Sequence, residues 1–132
     1  MSLKIFNPHL YPLPTELEKF FNNIYLHICE KFNCPKYEIE LSVISEEEIR
    51  ELNKNYRNKD KETDVLSFPM KTDESELFLG AIYFCYSVIK KNNSNLLSEF
   101  SLLFIHSFLH LLGHEHGELM FQLQEEIFKH FF

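Results

Sequence analysis

Hydrophobic and polar residues follow two different periods along the chain, and the changes of period predict four strands and four helices. Runs of β-branched and aromatic residues predict strands, and apolar residues that recur every three to four positions predict helices. The sequences Thr15-Glu-Leu-Glu18 and Ser45-Glu-Glu-Glu48 are capping boxes that mark two helix starts. The predicted strands cover residues 3–6, 37–44, 64–68 and 77–86. The predicted helices cover approximately residues 15–32, 45–57, 96–112 and 118–132.

The order of these elements, βαβαββαα, lacks a regular βαβ repeat and therefore predicts an α+β fold. We expect a small mixed sheet of about four strands with helices packed on it. The length of 132 residues is typical of one domain, which is expected to span residues 1–132. A loop over residues 58–63 and a polar turn over residues 71–76 connect the middle elements.

Two of the helices have a distinctive apolar pattern. Residues 96–112 are apolar nearly all round, which predicts a central buried helix that Ser94 or Asn95 caps and Gly113 ends. The helix over residues 45–57 is instead amphipathic, and we expect Ile49, Leu52 and Tyr56 to face inward.

Composition and charge narrow the setting. The chain carries 13 Lys and Arg against 20 Asp and Glu, for a formal net charge of -7, whereas a protein that binds nucleic acid by charge alone is normally basic. The three cysteines, Cys29, Cys34 and Cys85, include no Cys-x-x-Cys pair and indicate free thiols in a reducing compartment. The first residues have no signal-peptide pattern, and the most apolar segment is too short to cross a bilayer. We expect a cytoplasmic protein with no membrane partner.

Four of the seven histidines fall within residues 106–116, and their spacing predicts a metal site at the end of the central helix. His106 and His110 lie one turn apart on the same helix face, so both rings can reach one ion. Gly113 is placed to end the helix in a left-handed turn, and His116 can then return as the third ligand. Three protein ligands leave a coordination position open, which is typical of catalytic zinc. The competing interpretation is a pair of hydrogen-bonded core histidines, but two unpartnered imidazoles in an apolar helix are costly.

The same His-x3-His-x2-Gly-x2-His spacing occurs in metzincin proteases, so a peptidase is the first alternative. Those enzymes have a glutamate directly after the first histidine as general base. In this chain that position is Ser107, which cannot act as a base at neutral pH. A zinc-dependent hydrolase of peptides or small molecules therefore remains as an alternative without its usual base.

A local basic segment is the second candidate for chemistry. Residues 50–61 hold five basic and two acidic side chains, among them Arg57, Lys59 and Lys61. This charge can be a solvated helix C-terminus, where Lys and Arg are favoured by the helix dipole, or a patch that binds phosphate.

The two segments together resemble the YbeY family of single-strand-specific, metal-dependent endoribonucleases of bacterial rRNA maturation. Residues 106–116 read His-Ser-Phe-Leu-His-Leu-Leu-Gly-His-Glu-His, against the family pattern His-Gly-x-Leu-His-Leu-x-Gly-Tyr-Asp-His, and residues 63–69 match the loop pattern Thr-Asp-Val-Leu-Ser-Phe-Pro. The chain departs from the family at Ser107 in place of Gly, at His114 and Glu115 in place of Tyr-Asp, and at Ala81 in place of the Asp that usually follows the Gly.

The resemblance implies a metal-dependent endoribonuclease that acts in maturation of the 16S rRNA 3′ end and in ribosome quality control. His106, His110 and His116 are expected to hold one Zn²⁺ ion, although three imidazoles also suit Ni²⁺ or another divalent transition metal. Arg57 is expected to bind the scissile phosphate and stabilise the transition state. We further expect Lys59 and Lys61 to contact the RNA backbone. Glu115 or, less well, His114 is expected to move a proton. The ribosome or a ribosomal protein is expected to recruit the enzyme. A metal-stabilised ribosome-binding module without turnover is the third hypothesis.

Overall fold

The computed structural model describes residues 3–70, 77–92 and 94–132, and these ranges form a four-stranded mixed sheet and five helices. The α+β prediction is therefore confirmed. The strands are β1 (Leu3–Phe6), β2 (Glu38–Ile44), β3 (Val65–Pro69) and β4 (Phe78–Cys85), and the helices are α1 (Leu17–Lys31), α2 (Glu46–Arg57), α3 (Tyr86–Asn92), α4 (Leu96–Leu111) and α5 (Glu118–Phe131). In these ranges no helix has the length and apolar character needed to cross a bilayer.

The sheet has the order β1-β2-β4-β3, with β1 and β4 both parallel to β2 and with β3 antiparallel to β4. The edge strand β3 ends at Pro69, which pairs with Gly80, so the strand covers residues 65–69 and not the predicted residues 64–68. Proline is tolerated there because an edge strand has no second neighbour that needs its missing N–H. The predicted polar turn over residues 71–76 lies outside the described residues.

The two faces of the sheet bury cores of very different size. The large core contains alternate residues of the strands together with α1, α4 and α5. Phe21 of α1 connects its layers, because its ring lies 5.8 Å from that of Phe84 on β4 and 4.7 Å from that of Phe104 on α4. On the other face, α2 covers a small cluster around Ile44, Ile49 and Cys85.

Helix α4 is the central element that the apolar pattern predicts. Nine of its residues are buried, and the Asn95 side chain caps it by accepting a hydrogen bond from the Ser98 amide. Because its side chains are buried on nearly every side, the position of its C-terminal end is fixed by the core. This end carries His106 and His110.

Two features of the helices differ from the sequence predictions. The capping box at Thr15 does not form, since α1 begins at Leu17 and the turn that precedes it satisfies the Leu17 amide with the Pro14 carbonyl. Helix α3 was missed because it follows β4 without a break and its Val88 and Ile89 are weak helix signals. The capping box at Ser45 does form.

Tyr56 does not face inward, in contrast to Ile49, which is fully buried. It lies in the last turn of α2 beside the partly exposed strand β3, where its ring meets the edge of Phe68 and stays 68% exposed. The buried position one turn after Ile49 belongs to Asn53, a polar residue that the apolar pattern did not indicate.

Candidate metal centre

The last two turns of α4 present His106 and His110 side by side. Their ring centroids are 4.8 Å apart, and the ring planes are nearly perpendicular. Both side chains are half-buried, since the rest of this helix end is packed into the core. The predicted one-turn spacing thus brings the two imidazoles to one face.

A Schellman motif ends α4 and turns the chain back toward these two rings. The Gly113 amide donates to the His110 carbonyl over 2.9 Å, and the His114 amide donates to the Leu109 carbonyl over 3.0 Å. Gly113 has φ +100°, a left-handed conformation that side-chain-bearing residues rarely adopt. The sequence prediction that Gly113 ends this helix in such a turn is confirmed.

The turn places His116 against the other two histidines. Its Nε2 atom lies 2.9 Å from Nε2 of His110, and its ring centroid is 5.3 Å from that of His106. One potential ligand atom from each of the three side chains lies within 4.8 Å of the other two. A zinc ion binds imidazole nitrogen at about 2.0–2.1 Å, so three nitrogens this close are a donor set that fits a divalent transition metal.

Gln124 of α5 holds the ring of His106 in place. Its Oε1 atom lies 2.7 Å from Nδ1 of His106, and because an amide oxygen only accepts, Nδ1 carries the proton. The lone pair of His106 is then on Nε2, which is the nitrogen left for a ligand. Gln124 could not be predicted from the sequence, because a contact between positions eighteen residues apart on two helices leaves no signal in local spacing.

The surroundings of His110 favour its neutral form. Burial lowers the pKa of His110, and the neighbouring His106 and His116 and the more distant Arg57 lower it further. Neutral imidazole is the form that binds a metal, so this environment favours the ligand state.

Arg57 faces the three histidines across a cleft of about 410 Å³. Its Nη2 atom donates to the Ser67 carbonyl over 2.9 Å, and its guanidinium lies over the Phe68 ring, 5.4 Å from the centroid. The structure therefore brings together four of the predicted site residues. The cleft is lined by Arg57, Val65, Leu66, Ser67, Pro69, His106, Ser107, His110, Leu111 and His116.

Asn53 shapes the basic loop that follows Arg57, and it is a second contributor to the site that local spacing does not predict. Its side-chain amide donates to the Lys61 carbonyl over 3.0 Å, and its own carbonyl accepts from the Lys59 amide over 3.2 Å. Lys59 and Lys61 are themselves exposed and are not among the described residues that line the cleft. Part of the basic charge of this segment is also compensated, since Arg50 pairs with Asp60 over 2.7 Å.

The residues at which the chain departs from the family pattern lie in different places. Glu115 is exposed, and among the described residues it neither lines the cleft nor has a hydrogen-bond partner. His114 turns away, with its ring 5.4 Å from that of Phe32. Ala81 is buried in β4 opposite Phe68. Ser107 lines the cleft as a buried hydroxyl that has no hydrogen-bond partner among the described residues.

Comparisons with known proteins find one family and a similar fold. A family model described as Endoribonuclease YbeY matches residues 8–132. The chain is 34% identical over 128 residues to the Endoribonuclease YbeY of Francisella philomiragia, with 88% of this chain and 78% of that protein covered. It is 40% identical over 110 residues to that of Finegoldia magna, with 79% and 70% covered. The solution structure of TM1509 from Thermotoga maritima superimposes with a TM-score of 0.60 and 27% identity, over 96% of this chain and 87% of that one.

Proposed function

Because the chain belongs to the endoribonuclease YbeY family, we propose that it hydrolyses phosphodiester bonds of single-stranded RNA in the cleft between its three histidines and Arg57. Family membership confirms the resemblance that the two sequence motifs carry, and with it the class of enzyme, an endonuclease of the hydrolase type. The observation that carries the choice of site is that His106, His110, His116 and Arg57 line one cleft.

The histidines are proposed to hold one divalent metal ion, with Zn²⁺ as the first choice and Ni²⁺ as an alternative. Their donor atoms are close enough for a shared ion, and Gln124 fixes which nitrogen of His106 is free. When bound, zinc supplies a Lewis acid that polarises a phosphoryl oxygen and makes a water molecule more acidic. The chain itself supplies two of the three imidazoles on a helix end that the core holds in place, and burial lowers the pKa of one of them, His110, which favours its neutral form.

Arg57 is proposed to bind the scissile phosphate. A guanidinium is planar and permanently charged, so it can bind two phosphate oxygens at once and stabilise the additional negative charge of the transition state. The Ser67 carbonyl and the Phe68 ring orient Arg57 from one side and leave its other N–H groups for substrate.

The roles expected of Glu115, Lys59 and Lys61 stay predictions. Glu115 is proposed to carry a proton to or from the cleft, although among the described residues nothing holds its carboxylate there. Lys59 and Lys61 are proposed to contact the RNA backbone outside the cleft, where both side chains are exposed.

We also propose that the enzyme acts on rRNA, in maturation of the 16S 3′ end and in ribosome quality control in the cytoplasm, and that the ribosome or a ribosomal protein recruits it. The support is the family together with the charge, since a chain of net charge -7 needs a partner to approach an RNA-rich particle. Nothing in the described residues favours the alternative of a peptide or small-molecule hydrolase. The position that carries the base of a metzincin is here the buried Ser107.

The proposal is tested by metal analysis of the purified protein together with cleavage of a single-stranded RNA. The wild type is expected to contain one equivalent of metal and to cleave, and His110→Ala is expected to lose both. Loss of metal with unchanged RNA cleavage would place the reaction elsewhere. One equivalent of metal without histidine-dependent RNA cleavage would leave two hypotheses, the ribosome-binding module and a hydrolase with another substrate. An assay with a peptide substrate can distinguish between these two.

A further inference from the structure

A second pocket adjoins the candidate metal centre, and Arg57 is not among its described lining residues. It has a volume of about 410 Å³ and shares His106 and His116 with the cleft. The start of α5 forms the rest of its wall, so we call it the α5 pocket. Its lining consists of His106, His116, Gly117, Glu118, Met120, Phe121 and Gln124.

The chemistry of the α5 pocket suits an uncharged planar group and not a phosphate. None of its described lining residues is Lys or Arg, and the Glu118 carboxylate repels an anion. Met120 is 3% exposed and gives the pocket an apolar floor. The side-chain amide of Gln124 and the carboxylate of Glu118 offer a donor and an acceptor to the edge of a bound ring.

Phe121 is the most unusual member of the lining. The residue is 60% exposed beside the polar histidine cluster, and no described ring stacks on it. Single-stranded RNA is commonly bound through bases that are unstacked from their neighbours and placed on aromatic side chains. An exposed phenylalanine in a pocket that adjoins the cleft of Arg57, the residue proposed to bind phosphate, has the properties of such a platform.

We propose that the α5 pocket receives one base of the single-stranded RNA, stacked on Phe121, while an adjoining phosphate lies in the cleft with Arg57. This inference rests on the proposed function, because it assigns a base-binding subsite to the same reaction. It also accounts for binding by a chain of net charge -7 whose two loop lysines do not line the cleft, since stacking provides affinity without positive charge.

The competing interpretation of Phe121 is an isolated surface hydrophobic, which is common in proteins. Leu119 supplies the matched control, because it lies on the same first turn of α5, is 68% exposed and does not line the α5 pocket. Leu119→Ala and Phe121→Ala remove comparable exposed apolar groups, and only the second removes the proposed platform. Phe121→Trp keeps an aromatic face and is the conservative variant.

The first experiment compares the kinetics of these variants on a single-stranded RNA. Phe121→Ala is expected to raise KM about tenfold with little change in kcat, which corresponds to the loss of one base–aromatic stack. Leu119→Ala and Phe121→Trp are expected to stay within about twofold of the wild type in KM. RNA that carries one abasic nucleotide beside the cleavage site is expected to raise KM for the wild type and to leave KM for Phe121→Ala unchanged.

The second experiment follows binding without turnover. In the His110→Ala background, an RNA with 2-aminopurine at that nucleotide is expected to change its fluorescence on binding, and the change is expected to be lost when Phe121→Ala is added. Normal cleavage with equal KM in Phe121→Ala and Leu119→Ala would overturn base binding in the α5 pocket and leave the proposed function intact. Unchanged KM of the wild type for RNA with an abasic nucleotide at every position tested in turn would do the same. A wild type that neither binds nor cleaves RNA would overturn the proposed function and the subsite with it.

Discussion

The two walls of the cleft differ in how their functional side chains are held. On the histidine wall (His106, His110 and His116), two rings stand on a buried helix, a Schellman motif returns the third, and Gln124 fixes the first. On the arginine wall, the exposed Arg57 at the end of α2 contacts the Ser67 carbonyl and the Phe68 ring of β3.

This difference matches the two kinds of chemistry proposed for the walls. A metal ion needs ligand atoms held to within about 0.5 Å of the productive geometry, and packed helices and directed hydrogen bonds help to provide that. A phosphate that arrives on a moving RNA strand is bound well by a charge on a long side chain with some reach. The two walls should therefore fail differently when they are mutated, and the following predictions test this.

Arg57→Ala is expected to have the largest effect that leaves the metal in place. Removal of one electrostatic stabiliser of a transition state typically lowers kcat by about 10²–10³-fold. The metal content should remain at the wild-type level, because Arg57 contacts Ser67 and Phe68 and is not one of the three candidate ligands. Cleavage assays and metal analysis of the same preparation check both halves.

Arg57→Lys sharpens this test. Lysine keeps the charge and loses the planar fork, so activity between that of Arg57→Ala and the wild type is expected. A loss of metal in either variant would contradict the separation of the two walls, since it would make Arg57 part of the metal centre.

Gln124→Leu is expected to weaken metal binding by about 10–100-fold, the usual effect of losing a partner that orients a histidine ligand. The leucine has a similar size and cannot accept the hydrogen bond from Nδ1 of His106. Gln122→Leu is the control, because Gln122 is exposed on the same helix and does not line the cleft or the α5 pocket. Competition with a chelator measures the affinities, and equal values for the two variants would show that Gln124 does not orient the ligand.

The positions of some of these residues could be predicted from the sequence, and those of others could not. The sequence predicts the arrangement of the histidine wall, with His106 and His110 on one helix face, Gly113 in the turn and His116 returned toward them. This is possible because helix periodicity and a glycine in a left-handed turn are both local features. The strands and the large core followed from the apolar pattern for the same reason. Gln124 and Phe121 could not be predicted, since their position depends on how α5 packs against α4, a contact made by the whole fold.

The arginine wall was less predictable than the histidine wall. Charge alone leaves Arg57, Lys59 and Lys61 equivalent, and only the family resemblance singles out Arg57. The fold agrees with that choice, because Arg57 lines the cleft and the two lysines do not. The burial of Asn53 could not be predicted, because a polar amide breaks the apolar pattern that marks the inner face of α2. Tertiary hydrogen bonds of this kind have no local sequence signal.

Asn53→Ala tests whether that amide supports the arginine wall. The substitution leaves the Lys61 carbonyl without its donor, and loss of a buried hydrogen bond destabilises a protein by about 1–3 kcal/mol. Asn55→Ala is the control, since Asn55 is exposed on the same helix and makes one long contact of 3.4 Å with Glu51. Urea unfolding measures the free energies. A modest fall in kcat/KM with unchanged metal content is expected for Asn53→Ala, and none is expected for Asn55→Ala.

Lys59→Ala and Lys61→Ala are expected to have the smallest effects, because both side chains are exposed outside the cleft. If each lysine contacts one phosphate, its removal should raise KM by a few-fold and reduce the slope of log K against log salt by roughly one. Lys91→Ala, which removes an exposed charge from α3, corrects for the change in net charge. An unchanged salt slope in both loop variants would identify these lysines as a solvated helix end. Arg57 would then be the only cation of this segment that is proposed to contact RNA, and further affinity for RNA would have to come from stacking or from a recruiting partner.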